Sequence, residues 1–175
     1  MTRPPRFLLP LLFTLGCAHQ PAKPLPTELA AASLAPDPAA LQAVRELLAS
    51  QVAAWNPGDL VGYMAGYWRS PQLTFFAGGA VTTGWDETLA RYQRRYQGEG
   101  KAMGTLTFEN LQLEELGPQA ALARGRWVLN FAPPAPPATG AASPAPSKPA
   151  AGLFTVLLRR KPEGWRIVHD HSCSD

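Results

Sequence analysis

The stretch Gly164-Trp165-Arg166-Ile167-Val168-His169-Asp170-His171-Ser172 decides how the rest of the chain is read. It opens on a turn glycine, runs through an aromatic anchor and β-branched residues, and ends in three consecutive ionisable groups. Strand side chains alternate between faces. Strict alternation puts Trp165, Ile167, His169 and His171 on one side, with Arg166, Val168, Asp170 and Ser172 on the other. A bulge near the strand end would exchange the two sets. Apolar residues giving way to polar ones predict a strand that leaves a core and enters a cavity.

Upstream, Lys161-Pro162-Glu163-Gly164 reads as the last hairpin turn. Leu153 to Leu158 is apolar at every position but Thr155, the pattern of an interior strand covered on both faces. In the strand before it, Ala121, Ala123, Gly125, Trp127, Leu129 and Phe131 alternate with Leu122, Arg124, Arg126, Val128 and Asn130. Leu106 and Phe108 share one parity and Leu111 and Leu113 the other, so a β-bulge is expected at Glu109-Asn110. Between two of these strands lies 132–151, in which 15 of 20 residues are Pro or Ala. Such a segment builds no core and lacks ladder donors, so a disordered loop inserted in a hairpin is expected. Loop closure costs grow slowly with length, and the sheet tolerates the insertion.

The first half of the domain reads as helix. Asp37-Pro38 combines a good N-cap with a residue suited to the first helical position. Leu41, Val44, Leu48, Val52 and Trp55 then form a stripe at three- and four-residue steps, and Asn56-Pro57-Gly58 ends it. Asp59 caps a second helix expected over Leu60–Trp68. A short strand over Gln72–Ala77 turns at Gly78-Gly79 and pairs back through Ala80–Thr83. Thr83 with Asp86 resembles a capping box, and Trp85, Leu89, Tyr92 and Tyr96 give the buried stripe of a third helix. Arg91, Arg94 and Arg95 fall largely on its opposite, solvated side. The expected architecture is α+β: three N-terminal helices packed on a strongly curved, mostly antiparallel, cone-shaped sheet.

The 175 residues carry 16 Lys and Arg against 13 Asp and Glu, a formal net charge of +3. Arg3 and Arg6 belong to a basic leader ahead of the apolar run Phe7–Phe13, which is too short to span a bilayer. With these two gone, the balance falls to about +1, too little for nucleic-acid binding by bulk electrostatics. Thr14-Leu15-Gly16-Cys17 resembles the lipobox of bacterial lipoprotein precursors. That resemblance implies a signal peptide over 1–16 and acylation of Cys17, which would anchor the chain to a membrane. Ala18 stands where an Asp would favour inner-membrane retention, so the outer membrane of the cell envelope is favoured. The Ala/Pro-rich stretch 17–36 reads as a tether and 37–175 as the domain. An acylated Cys17 leaves Cys173 without an intramolecular partner.

Ala54-Trp55-Asn56-Pro57-Gly58-Asp59-Leu60 resembles the helix junction of the SnoaL-like bacterial members of the nuclear transport factor 2-like superfamily. Gly84-Trp85-Asp86 with Tyr92 and Tyr96, Met103-Gly104-Thr105-Leu106-Thr107-Phe108, and the closing strand Trp165–Ser172 are similar to further parts of that family. The resemblance covers Asp37 to Ser172 apart from the proline-rich loop. It implies a conical pocket, homodimers paired through the outer sheet face, and a range of roles from isomerases and cyclases to non-catalytic hubs. The closing strand is also similar to the association domain of calcium/calmodulin-dependent protein kinase, and Arg126 aligns with an arginine of that domain's pocket.

These readings lead to a candidate site. If Arg126 faces the pocket, Asp170 and Ser172 could join it, and an Arg126–Asp170 pair would hold a polar ligand or seal the pocket floor. His171 joins Arg126 and Asp170 as a ligand candidate, with Tyr63, Tyr67 and Trp68 as aromatic walls. Asp170 or His171 is the candidate general base if the domain is an isomerase, hydratase or cyclase. His169 and His171 on one face give two metal ligands without a third, so no metal is expected. There is no phosphate-cradling glycine loop and no nucleophile elbow, and no cofactor is expected. The sequence favours a lipid-anchored, dimeric module that binds a small polar or amphipathic molecule, and leaves open an enzyme or a scaffold.

Overall fold

The computed structural model describes residues 37–98, 103–131 and 148–175. The expected signal peptide, Cys17, the tether and most of the Ala/Pro stretch lie outside them. Helix α1 (Pro38–Trp55) starts as its sequence predicts: the Asp37 carboxylate accepts from the Ala39 N–H at 2.9 Å, and Pro38 sits in the first turn. Its buried face is Ala40, Val44, Leu48, Gln51 and Trp55. Gln51 takes the place expected for Val52 because its Nε2 donates to the Tyr63 carbonyl at 3.1 Å, which satisfies a polar group in the core.

Helix α2 (Leu60–Met64) is capped by Asp59 but is shorter than expected. The chain leaves it to join the sheet. The Ile167 N–H donates to the Gly66 carbonyl at 3.0 Å and the Trp68 N–H to the Ile167 carbonyl at 2.8 Å. Strands β1 (Thr74–Ala77) and β2 (Ala80–Thr83) form a hairpin between the second and third helices. Helix α3 (Trp85–Tyr96) begins at Gly84, at φ 95°, with no side-chain cap, so Thr83 does not form the expected capping box. Long-range bonds fix this start instead: Gly84 N–H to the Leu73 carbonyl at 2.8 Å and Trp85 N–H to the Ser70 carbonyl at 3.1 Å.

Strands β3 (Thr105–Gly117), β4 (Ala120–Asn130), β5 (Ala150–Lys161) and β6 (Gly164–Ser172) complete one sheet in the order β2-β1-β6-β5-β4-β3. All neighbours are antiparallel except β1 and β6. The fold is therefore α+β with a mostly antiparallel six-stranded sheet. Strand β5 takes up Ala150 and Ala151, which composition alone had assigned to the loop. On β5, Phe154, Val156 and Leu158 are buried while Leu153 is 56% exposed, so only one face is covered within this chain.

Two bulges shape the sheet. On β3 the register slips between Glu109 and Gln112, with Asn110 at φ 51°, at the predicted place. On β6 it slips between the pairs Leu157↔His169 and Leu158↔Ile167, so Val168 is the extra residue. Curvature follows from the lining of one small cavity. Strands β1 and β3 lie four steps apart, about 19 Å in a flat sheet. Phe75 of β1 and Leu106 of β3 nevertheless face the same space.

Candidate functional site

That space is a cavity of about 70 Å³ between α1, α3 and the concave face of the sheet. Its walls are aromatic and aliphatic: Trp55 and Leu48 from α1, Phe75 from β1, Tyr92 from α3, and Trp127, Phe154 and Ile167 from the later strands. One end is polar. Asp170 is 3% exposed there. The bulge at Val168 explains its position. Trp165 and Ile167 point inward, the extra residue shifts the alternation, and Asp170 and Ser172 then point inward as well.

Asp170 is held by two hydroxyls. Tyr67 donates to Oδ2 at 2.7 Å and Ser172 to Oδ1 at 2.8 Å. The Tyr63 hydroxyl lies 3.4 Å from that of Tyr67 and 3.5 Å from that of Tyr92. A phenol has one proton to give. When Asp170 is ionised, Tyr67 spends its proton on the carboxylate, so the chain of donation runs Tyr92 to Tyr63 to Tyr67 to Asp170. Burial raises the Asp170 pKa from its ordinary 3.8 to about 6, while the bonds from Tyr67 and Ser172 and the nearby His171 pull it down. Burial likewise raises Tyr63, Tyr67 and Tyr92, and the Asp170 charge adds to the rise. These phenols stay protonated and act as donors.

The other expected site residues go elsewhere. Arg126 does not pair with Asp170. Ala123, Trp127 and Leu129 take the inward positions of β4, which sends Arg126 to the outer face, where it forms an ion pair with Asp175. His171 is exposed on the outer face, its ring centre 6.2 Å from that of Phe76. His169 lies beside it, with Nδ1 2.7 Å from Thr74 Oγ1. Burial and then the neighbouring His171 lower its pKa. Trp68 does not line the cavity: the Lys161 ammonium sits 3.6 Å from its ring centre. Tyr63, Tyr67 and Asp170 are the expected site residues that meet in the cavity. Tyr92, read from sequence only as a core residue, joins them because the α3 stripe faces the cavity. Among the described residues no three His, Cys, Asp or Glu side chains gather as a metal site would require.

The arrangement has one proton acceptor with a pKa near neutrality. Trp55 Nε1 donates to the Gly104 carbonyl, Trp127 Nε1 to the Cys173 carbonyl, and Tyr67 and Ser172 to Asp170. Each of these lining groups has a single proton and spends it on the protein. None of these four is left for an oxyanion developing on a bound molecule.

No family model and no curated protein matches the sequence. Solved structures do. An NTF-2 like protein of unknown function from Shewanella oneidensis MR-1 is 34% identical, with a TM-score of 0.62, over 75% of this chain and 97% of that one. An NTF2-like protein of unknown function from Pseudomonas putida KT2440 is 20% identical, with a TM-score of 0.59, over 79% of this chain and 89% of that one. A ketosteroid isomerase-like protein from Erwinia carotovora atroseptica SCRI1043 is 18% identical, with a TM-score of 0.59, over 79% of this chain and 98% of that one. The last two speak for the fold alone. The first combines identity with nearly complete coverage, and with the sheet order and the cavity it establishes that this chain belongs to the nuclear transport factor 2-like superfamily.

Proposed function

We propose that the domain is a binding module for a small amphipathic molecule, presented at a bacterial envelope surface by a lipid on Cys17 and paired as a homodimer. The observation that carries the binding role is a small apolar cavity with one buried carboxyl in its wall. Ligand sites combine apolar walls with a few placed polar groups. At about 70 Å³ the cavity is smaller than the roughly 150 Å³ that holds benzene in an engineered apolar site. The inner cavity therefore suits a short chain or a fragment of a ring, not a polycyclic substrate. The leader and the lipobox-like Cys17 support the anchor, and the exposed Leu153 and Phe76 on the outer sheet face support pairing.

A thermal-shift screen of the full chain against small amphipathic molecules tests the binding role. A ligand specific to the folded state adds about 2.7 kcal/mol of stability at a hundredfold excess over its Kd. No shift across short alcohols, amines, acids and ketones would overturn it. Metabolic labelling with palmitate, in the wild type and in Cys17→Ser, tests the anchor.

One observation favours a second reading. A carboxylate with a pKa near 6 is poised for proton transfer, which would make the domain an isomerase-type enzyme with Asp170 as base. The committed donors around the cavity weigh against it. Exchange of deuterium into acidic C–H positions of bound ketones, lost in Asp170→Asn, would revive it.

A further inference from the structure

A second space of about 80 Å³ adjoins the cavity and shares Phe75, Tyr92, Trp127 and Ser172 as common walls. The second space also has two arginines, Arg91 and Arg95, one turn apart on the same face of α3. Arg91 is not simply a solvated surface charge. It is half-buried, its guanidinium carbon 5.3 Å from the Phe75 ring centre, with Nη1 donating to Thr82 Oγ1 at 3.1 Å and Nη2 to the Ala77 carbonyl at 2.8 Å. Arg95 is exposed and its Nε donates to the Tyr96 hydroxyl at 3.1 Å.

Among the described residues neither arginine meets a carboxylate; the ion pairs Arg124–Glu114 and Arg126–Asp175 lie elsewhere. All the acceptors that hold Arg91 and Arg95 are neutral, so they fix the guanidinium planes without compensating the charge. A partly buried, uncompensated cation is costly to keep, and a guanidinium has five donors, of which only some are used here. Two arginines so placed over an apolar chamber match a compact anionic group.

Resting on the binding role proposed above, we infer that the occupant is an acidic amphiphile: Arg91 and Arg95 hold its anionic head, and its apolar tail runs past Phe75 and Trp127 into the inner cavity. The arginines fix the direction. None of the residues lining the inner cavity is a cation, so the head stays at Arg91 and Arg95 and the apolar tail points inward. The two spaces together come to about the 150 Å³ that accommodates benzene, which limits the whole occupant, head included, to about six carbons.

The test compares sodium hexanoate with 1-hexanol, which has the same chain length and no charge. The full chain is titrated with each at pH 8 by calorimetry, alongside the double variant Arg91→Gln/Arg95→Gln. The expected result is hexanoate binding about tenfold or more tighter than hexanol, and losing about tenfold in the double variant while hexanol affinity is unchanged. Equal affinities in the wild type, or undiminished hexanoate binding in the folded double variant, would overturn the inference. Arg91 also ties the β1–β2 hairpin to α3, so the unaltered protein supplies a second measurement. Rising salt should weaken hexanoate and leave hexanol unaffected; an equal response of the two would overturn the inference without any substitution. Hexanol binding with no preference for hexanoate would leave the cavity role standing and remove the anion. Binding of neither would remove both.

Discussion

Replacing Asp170 by Asn should make the protein more stable, and by an amount that depends on pH. The carboxyl is 3% exposed, and burial lifts its pKa from 3.8 to about 6. Unfolding returns it to the ordinary value. The folded state thus holds this proton more tightly than the unfolded one. Below about pH 4 both states are neutral at this group. As pH rises towards 6 the unfolded chain ionises first, and above 6 the native protein carries a buried charge. The contribution to stability is therefore full below pH 3.8 and lost as pH rises through about 6. At 1.36 kcal/mol per pH unit, the loss is about 3 kcal/mol. Asn keeps the volume and an oxygen for the Tyr67 hydroxyl, and Ser172 can turn to accept from the new amide. Urea unfolding of the full chain, followed by tryptophan fluorescence at a series of pH values, gives the difference between the two proteins, from which the other carboxylates cancel. Asp170→Asn should exceed the wild type by about 2–3 kcal/mol at pH 8, with the gap closing near pH 4. A difference that does not vary with pH, or a variant less stable at pH 8, would refute the account of Asp170 as a strained buried charge. A gain would fit the general rule that functional sites hold groups that stability alone would discard.

Tyr67→Phe removes the 2.7 Å bond to Asp170. It should move the Asp170 pKa further up, read by carboxyl NMR, and cost about 1.5–3 kcal/mol above pH 7, the range for a bond to a charged group. Arg126→Ala should leave both the melting temperature and the affinity for a cavity ligand unchanged, because Arg126 faces away from the cavity and pairs with exposed Asp175; loss of binding would put the arginine back in the site. Gly152→Ala would place a Cβ 1.8 Å from the Cys173 carbonyl oxygen, which also accepts from Trp127 Nε1. The chain must shift there, at about 1–3 kcal/mol, and a changed Trp127 emission should report it.

Periodicity carried most of the fold. The α1 and α3 stripes and the β4 alternation are strong because their apolar residues recur over many positions. The β3 bulge was legible because polar Glu109-Asn110 interrupts two apolar pairs of opposite parity. The β6 bulge was not, since Val168 is at home on either face and nothing local marks it as the extra residue. Whether the histidines or Asp170 enter the cavity depends on that one position. Arg126 was misplaced for a related reason: β4 has apolar residues at both parities, and only packing shows that Trp127 takes the inside. Trp68 left its expected place because backbone bonds between Gly66, Trp68 and Ile167, about a hundred residues apart in sequence, outweigh local helix preference. The placement of Arg91 and Arg95 beside a second space was hidden because a basic helix face looks the same from sequence whether it meets water or a chamber.

Strand β6 is bonded on both sides, with Asp170 opposite Phe75 of β1 and Val156 of β5. Its amides should therefore open to hydrogen exchange only when much of the sheet opens, near the global unfolding limit. Arg91 and Arg95 sit instead on a helix flanked by the two-stranded edge of the sheet. The walls of the chamber thus differ in compliance. The β6 wall that carries Asp170 is the stiff side, and any yielding needed to admit a guest falls to the α3 side with its arginines.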